Sequence, residues 1–348
     1  MTGRVVHLDR IGTQAAAALV VDGRLEELLI DPADDVPLPG AIYRAVADRP
    51  VKGIGGMFVK LPGSQGFLRQ TAGIAPGRRL IVQVTGPAED GKAVPVTTRL
   101  LFKSRHAIVT PGAPGLNLSR RIRDDGLRAM LEAAAAEAMS GAADDVGLIL
   151  RSACLHADAG EVAADIAGMR ALAQAVTADL DGPPELLVEG AGAHETAWRD
   201  WADPPPDEVV ENGFADRGVG DLIAALRDPV VRLPGGGHMV VEPTRALVAV
   251  DVNTGADTSV AAGLKASIAA ARELPRQLRL RGLGGQVVVD FAPFPKKDRG
   301  TLDQVLRTAF KGDGAEANLA GWTTLGLYEL VRRRDRLSLA ILLPAGLR

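Results

Sequence analysis

Two short apolar runs, each followed by an aspartate, constrain this chain more than any other feature. Ala246–Val250 reads ALVAV and precedes Asp251, and Val287–Val289 precedes Asp290. Continuous Val-rich runs are typical of buried strands, and successive side chains of a strand point to opposite faces. Asn253 is therefore expected on the same face as Asp251. We expect the two strands to bring these side chains together at one edge of a sheet.

Two carboxylates and an amide oxygen form an all-oxygen donor set, which favours Mg²⁺ or Mn²⁺ over softer metals. Such ions keep several waters and bind phosphate oxygens. The alternative is that each aspartate caps a turn or the helix after it. Basic side chains near the pair in sequence would fit a phosphodiester backbone, and a solvated helix face would have the same composition. They are Arg272, Arg276, Arg279, Arg281, Lys296, Lys297, Arg299, Arg332, Arg333, Arg334 and Arg336.

Composition and length exclude several classes of protein. The 348 residues predict two or three domains, and no apolar run approaches the ~18 residues of a membrane span. The N-terminus carries no apolar signal segment, so a cytoplasmic location is expected. The single cysteine, Cys154, excludes an internal disulfide and is expected to be a small buried residue.

The net charge of −3 hides an asymmetry. Residues 151–230 carry 16 acidic and five basic side chains, so the rest of the chain is basic. A basic majority can present a face that binds a polyanion such as a nucleic acid. The alternative is that one domain is simply acidic.

Glycine-separated β-like runs over residues 40–105 predict a small barrel or sandwich, after a hairpin over 15–30. Phe58 and Phe67 lie in two of these runs, and Lys92 lies on a later loop. Oligonucleotide-binding barrels use aromatic side chains as stacking platforms beside cations. The alternative is that both phenylalanines belong to the core.

The remaining pattern predicts alternating helices and strands. Helices are expected over 120–140, 158–180 and 298–311, and residues 202–212 are expected to be a loop or a trimmed connection. Residues 321–343 are expected to lead from a strand or loop into a basic helix. Arg151 and Ser152 follow a predicted strand and could bind a terminal phosphate, although a surface salt bridge is the commoner role.

These residues resemble the ribonuclease E/G family of bacterial endoribonucleases. The resemblance rests on RLPGGGHMVVEPTRALVAVDVNTGAD over Arg232–Asp257, on LRLRGLGGQVVVDF over Leu278–Phe291 and on LGLYELVRRR over Leu325–Arg334. GMFVKLPGSQGFL at 56–68 is similar to the family's S1 segment, and LNLSRRIRDD with GLILRSA is similar to its 5′-sensor region. The similarity covers most of the chain and is weak over 155–230.

The resemblance implies an α/β fold of several subdomains. Residues 1–38 would begin an RNase H-like portion, 39–105 would form an inserted S1 (OB-fold) barrel, and 106–180 a 5′-sensor-like region. Residues 181–230 would be a truncated RNase H-like portion or linker, and 231–348 a DNase I-like catalytic subdomain.

The resemblance also implies an activity: Mg²⁺-dependent cleavage of single-stranded RNA that leaves 5′-phosphate and 3′-hydroxyl ends, in RNA processing or decay. Asp251 and Asp290 would hold the metal, supported by Asn253. The side chains implied to bind RNA are Phe58, Phe67 and Lys92 on the barrel, and Arg151 and Ser152 at a 5′-monophosphate.

The sequence departs from the family pattern in places. It resembles a minimal, ribonuclease G-like form, because the long C-terminal scaffold of the larger family members is missing. It also contains no Cys-Pro-x-Cys zinc link, so we expect no zinc. Self-association stays open, but not through a zinc link. Residues 312–318 are acidic where basic side chains would assist the 5′ sensor. The alternative function is a non-catalytic RNA-binding protein with the same fold, and a more remote one is a DNA nuclease.

Overall fold

The first third of the chain consists mostly of strands, several of which are joined by tight turns. Asp22 and Gly23 show why: both have positive φ, 49° and 78°, as a two-residue hairpin turn requires.

The computed structural model describes residues 2–33, 36–51, 53, 55–88, 91–257 and 259–343. The strands of this part are β1 (Arg4–Ile11), β2 (Gln14–Val21), β3 (Arg24–Ile30), β4 (Ile42–Pro50), β5 (Met57–Leu61), β6 (Ser64–Leu68), β7 (Arg79–Val84), β8 (Val94–Thr97), β9 (Phe102–Lys103), β10 (Ala107–Pro111) and β11 (Gly115–Leu118).

Helices and strands alternate through the rest of the chain. In order, they are α1 (Asp125–Ala138), β12 (Val146–Leu150), α2 (Ala159–Ala178), β13 (Glu185–Val188), α3 (Ala193–Asp200), β14 (Glu208–Glu211), α4 (Val219–Ala225), β15 (Val230–Arg232), β16 (His238–Pro243), β17 (Val248–Asn253), α5 (Val260–Leu280), β18 (Gly285–Asp290), α6 (Arg299–Lys311), β19 (Ala317–Trp322), β20 (Tyr328–Arg332) and α7 (Leu339–Leu342). Short 3₁₀ turns lie at Ser152–His156 and Lys296–Asp298.

The N-terminal sheet has the strand order β14-β1-β2-β3. The expectation of a loop over 202–212 is wrong in part, because β14 lies within it and pairs with β1 in parallel. Its short EVVE run has too little periodicity to be recognised, and its partner lies some two hundred residues away in the chain. The sheet packs against α4, the end of α5 and α7 through one shared apolar core.

Five strands close into a barrel. They run in the order β4-β5-β6-β8-β7, and β4 pairs with β7 to complete the circle. Alternate residues point inward, such as Val59, Leu61 and Val82, and form a separate core. A closed five-stranded barrel is consistent with the S1 or OB-like domain predicted for this region. Strand β13 is added outside it, along β4.

A third sheet has the order β11-β12-β10-β9 and is covered by α1 and α2. Cys154 is buried in its core, as the sequence predicts. Burial raises the pKa of the Cys154 thiol to about 11, so the thiol is protonated at neutral pH.

The fourth sheet, β15-β16-β17-β18-β20-β19, carries the predicted carboxylates. Helices α5 and α6 cover one of its faces. The expected basic helix near the C-terminus is wrong: Arg332 ends β20, Arg333 and Arg334 lie in irregular backbone, and the helix that follows, within the residues described up to 343, is the short apolar α7. Within the described residues, no helix has the length and apolarity to cross a bilayer.

Candidate active site and nucleic-acid interface

The structure places the two predicted carboxylates side by side. Strands β17 and β18 are parallel neighbours, and Asp251 is the direct register partner of Asp290. The valines that alternate with them face the helices, so both aspartates lie exposed on the opposite face. The Asn253 Nδ2 donates a hydrogen bond of 2.8 Å to Oδ2 of Asp251. Neighbouring strands are about 4.8 Å apart, so the two carboxylates can share one ion.

A glycine-rich hairpin lies against this site. Gly235 and Gly236 join β15 to β16 with φ values of +88° and +87°, which side chains other than glycine rarely adopt. A Cβ at Gly237 would lie 2.8 Å from the carbonyl oxygen of Asn253. The glycine run therefore allows the hairpin to approach the end of β17 closely.

The hairpin adds two side chains that the sequence reasoning missed. Arg232 pairs in register with His238, and His238 pairs with Asn253, so the three side chains form a row across the exposed face. In the part of the chain that the structure describes, neither Arg232 nor His238 has a hydrogen-bond or ion-pair partner for its side chain. The sequence signal that could have identified them is their position immediately before and after the LPGGG turn.

The donors at this site fit a hard divalent cation. Asp251 and Asp290 supply carboxylate oxygens, and Asn253 adds an amide. Among the described residues, no group of three or more His, Cys, Asp or Glu side chains is placed to hold a metal ion. Two carboxylates alone fit an ion such as Mg²⁺, which keeps most of its waters and completes its shell with substrate phosphates.

Most of the basic residues near the pair in sequence hold the fold together instead. Arg276 binds Glu273, and Arg279 binds Glu27 and Asp313. Arg332 is fully buried against Asp313, at 2.7 Å. The acidic segment 312–318 therefore contributes a structural carboxylate. Lys296 and Lys297 remain exposed on the turn that follows Asp290.

The barrel presents its two phenylalanines outward. Phe58 and Phe67 are cross-strand partners on β5 and β6, with ring centroids 5.7 Å apart in an edge-to-face arrangement. Both are half-buried, whereas their neighbours Met57 and Leu68 fill the barrel core. The guanidinium of Arg49 lies 5.4 Å from the Phe58 centroid. An outward aromatic pair beside a cation is the arrangement of a base-stacking platform.

Phe58, Phe67 and Lys92 line one cleft of about 2040 Å³ between the barrel, the end of β3 and the segment before α7. Neither Asp251 nor Asp290 lines it. Its described lining carries more positive than negative side chains. The cations are Lys60, Arg69, Lys92, Arg199, Arg279, Arg333 and Arg336, and the carboxylates are Asp31 and Asp335.

Arg151 lies at the end of β12, and its guanidinium is already engaged. It donates to the carbonyls of Ser104 and Arg199, at 2.6 and 3.1 Å, and to Asp200 at 2.6 Å. Burial acts to raise the pKa of Asp200, but hydrogen bonds and charge from Arg199 and Arg151 outweigh it, so the pKa is lowered. Ser152 and Arg151 border a recess of about 30 Å³, which is enough space to hold a water.

Comparison with known proteins finds one matching family model and several ribonuclease relatives. The model of the ribonuclease E/G family matches residues 102–216 and 209–335, more than half of the chain. Ribonuclease E of Nostoc sp. (strain PCC 7120) is 27% identical over an alignment covering 92% of this chain and 54% of that protein. Ribonuclease G of Escherichia coli K12 is 25% identical, covering 94% and 79%. Ribonuclease G of Haemophilus influenzae is also 25% identical, covering 92% and 78%.

An open α/β sheet bearing paired carboxylates, together with a barrel that displays aromatics, defines a class of protein suited to phosphodiester chemistry on a nucleic acid. The chain belongs to the ribonuclease E/G family. It spans little more than half the length of the Nostoc relative.

Proposed function

We propose that this protein is an endoribonuclease that cleaves single-stranded RNA with Mg²⁺ held by Asp251 and Asp290. The observation that carries the proposal is the in-register pair on an exposed sheet face, in a chain of this family. The products would be a 5′-phosphate and a 3′-hydroxyl end. Mn²⁺ has the same ligand preference and would substitute.

The chain's own residues have distinct tasks in this proposal. Asp251 and Asp290 hold the ion, which when bound supplies charge to a phosphoryl oxygen and makes a water more acidic. Asn253 holds the Asp251 carboxylate through its 2.8 Å hydrogen bond. Arg232 and His238 lie in one row with Asn253, two residues along β17 from Asp251. Their side chains would face the RNA backbone next to the metal site. Lys296 and Lys297 add exposed charge beside the end of β18.

The preference for single strands is assigned to the barrel. Phe58 and Phe67 can stack on a base only if that base is unpaired, because bases within a helix stack on each other. Lys92 lies in the same cleft and would meet the RNA backbone. The double-stranded form of the same sequence should therefore be a poor substrate.

Arg151 and Ser152 are proposed to contact a 5′-monophosphate. The ion pair between Arg151 and Asp200, which the sequence did not reveal, limits how a phosphate could bind. Asp200 already holds Arg151, so a phosphate would bind alongside this carboxylate or replace it. The Ser152 hydroxyl borders the recess and can donate to a phosphate oxygen. Enhancement by a 5′-monophosphate should be weak if Asp200 stays in place.

The test is cleavage of end-labelled single-stranded RNA, with Mg²⁺ or with EDTA, by the wild type and by the Asp251→Asn and Asp290→Asn variants. Each variant should cleave slower by a factor on the order of 10² or more, because several kcal/mol of transition-state stabilisation depend on the ion. RNA binding in EDTA should be unchanged. Glu242→Gln is the matched control, since Glu242 is exposed on the same sheet and outside the pair.

Three outcomes would contradict the proposal. Cleavage at the wild-type rate by either asparagine variant would show that the carboxylates are misassigned. RNA binding without any Mg²⁺-dependent product would favour the non-catalytic alternative. Equal cleavage of single-stranded DNA of the same sequence would remove the assignment to RNA.

A further inference from the structure

One exposed tryptophan has no role in the core or in the site described above. Trp198 on α3 is 58% exposed. The inner side of α3 packs through Ala197 and the nearby Trp201, which is 7% exposed, against the N-terminal sheet. Trp198 therefore points away from the core that holds the helix. Exposed tryptophans are uncommon in folded proteins and are enriched at binding surfaces.

The Trp198 ring is held in place by an arginine. The guanidinium carbon of Arg105 lies 4.8 Å from the ring centroid. Arg105 also donates a 3.1 Å hydrogen bond from Nη1 to the main-chain carbonyl of Trp198. This pairing fixes the ring and still leaves more than half of the residue open to solvent. An arginine stacked on an aromatic ring is a common partner for a nucleobase.

Positive charge accumulates next to this ring. Arg199 and Arg151 share one carboxylate, Asp200. Lys103 is exposed close to these three charges. Although part of its side chain is exposed, its pKa is lowered, first by the desolvation of its surroundings and then by Arg199 and Arg151, against the opposing effect of Asp200. Together with Arg105, the cluster holds four cations, against the carboxylates of Asp200 and of Asp203, which lines the same recess as Arg151 and Arg199. Its net charge is still positive, so an added anion would be attracted to it.

We propose that Trp198, Arg105 and Lys103 form a second nucleotide-binding subsite, with the base on the Trp198 ring and its phosphate near Lys103. The ligand is one unpaired nucleotide of an RNA strand. The Trp198 residue itself is outside the described lining of the cleft that contains Phe58 and Phe67, although Thr196 and Arg199 of the same helix line that cleft. The proposal rests on the proposed binding of single-stranded RNA. It extends that binding to α3.

The phosphate could be the 5′-terminal one or an internal one, and the test distinguishes them. Binding is measured in EDTA for three RNAs of one sequence: linear with a 5′-phosphate, linear with a 5′-hydroxyl, and circular. Trp198→Ala should weaken binding about 5- to 100-fold, the range of a lost base–aromatic stack. Trp198→Phe should lose less. An effect confined to the 5′-phosphorylated RNA assigns the terminal nucleotide, and an equal effect on all three assigns an internal one.

Two further measurements make the inference specific. Lys103→Gln should reduce the slope of log K against log salt by about 0.7, the contribution of one phosphate contact on a single strand. Addition of RNA should quench tryptophan emission more in the wild type than in Trp198→Phe, which keeps the buried Trp201 and the half-buried Trp322. Val209→Ala is the control, because Val209 is 55% exposed and lies on β14.

The inference is overturned if Trp198→Ala and Trp198→Phe bind all three RNAs as tightly as the wild type while Phe58→Ala binds them weakly. Trp198 would then only tie α3 to the turn that carries Arg105. It is also overturned if Trp198 emission responds to anionic vesicles and not to RNA. These binding measurements are made in EDTA, so they do not depend on cleavage. If the separate assay with Mg²⁺ showed no cleavage, the proposed nuclease activity would be refuted and the evidence for this binding subsite would be unaffected.

Discussion

At the scale of single residues, His7 makes stability depend on pH. It is fully buried in β1, and neither ring nitrogen has a hydrogen-bond partner among the described residues. Burial first, and then the charge of Arg217, lower the pKa of His7 below its ordinary 6.5. The unfolded chain therefore takes up a proton near pH 6.5, whereas the folded protein takes it up only at lower pH. The stability contributed by neutral His7 is present above pH 6.5 and is lost as the pH falls below it.

We expect the urea concentration at the midpoint of unfolding to decrease as the pH is lowered from 7 to 5. His7→Leu should make this decrease smaller. The leucine variant has no proton to take up at this position, so the difference between the two slopes isolates His7 from the other four histidines. Circular dichroism at each pH is the measurement. Parallel slopes in the two proteins would show that His7 does not contribute to the pH dependence.

The same scale shows which site residues a sequence can predict. The pairing of Asp251 with Asp290 could be predicted because alternation along a strand and the ends of parallel strands are local rules. The role of the arginines could not. Arg332 and Arg279 share Asp313, which no nearby pattern identifies as their partner. A basic run therefore looks the same in sequence whether it binds RNA or holds a fold together.

At the scale of elements, the strand ends depend on a close helix contact. A Cβ at Gly263 on α5 would lie 2.0 Å from the carbonyl oxygen of Pro293, three residues after Asp290. Gly263→Ala should therefore displace this segment, destabilise the protein by about 1–3 kcal/mol and lower the cleavage rate. Thermal unfolding and RNA cleavage measure the two effects.

Gly168→Ala is the matched control for this contact. Gly168 lies inside α2, and a Cβ there would meet nothing within 4 Å. Alanine should stabilise that helix by about 0.5–1 kcal/mol without changing cleavage. If both variants behave alike, the approach of α5 to the segment after β18 does not position Asp290.

Elements also differ in how well the sequence predicts them. The β2–β3 hairpin and helices α2 and α6 follow from local turns and periodicity, and the structure contains all three. Strand β14 was missed because its stability comes from pairing with β1 rather than from its own four residues. The basic helix expected near the C-terminus is absent for the same reason. Pairing of β20 with β18 and β19 as far as Arg332 decides the local structure, rather than the sequence of the segment itself.

At the scale of the whole molecule, the barrel platform and the carboxylate pair occupy different surfaces. The described lining of the cleft includes Phe58 and Phe67 but none of Asp251, Asn253 and Asp290. Substitutions that share no partners add in free energy to within about 0.5 kcal/mol. Phe58→Ala should therefore raise KM about 5- to 100-fold by loss of stacking, Asn253→Ala should lower kcat, and the double variant should show the product of both effects.

The length of the RNA tests the same separation independently. Phe58→Ala should bind an RNA that is long enough to reach both surfaces less tightly than the wild type does. In the proposed function, stacking on the barrel holds such an RNA while the carboxylates act on another part of it. An RNA too short to span the two surfaces gains nothing from the barrel, so the wild type and Phe58→Ala should cleave it at the same rate. Initial rates on a series of RNAs of increasing length would reveal where the two proteins diverge. Equal loss at every length, or a double variant no worse than the poorer single one, would show that the two surfaces act as one site.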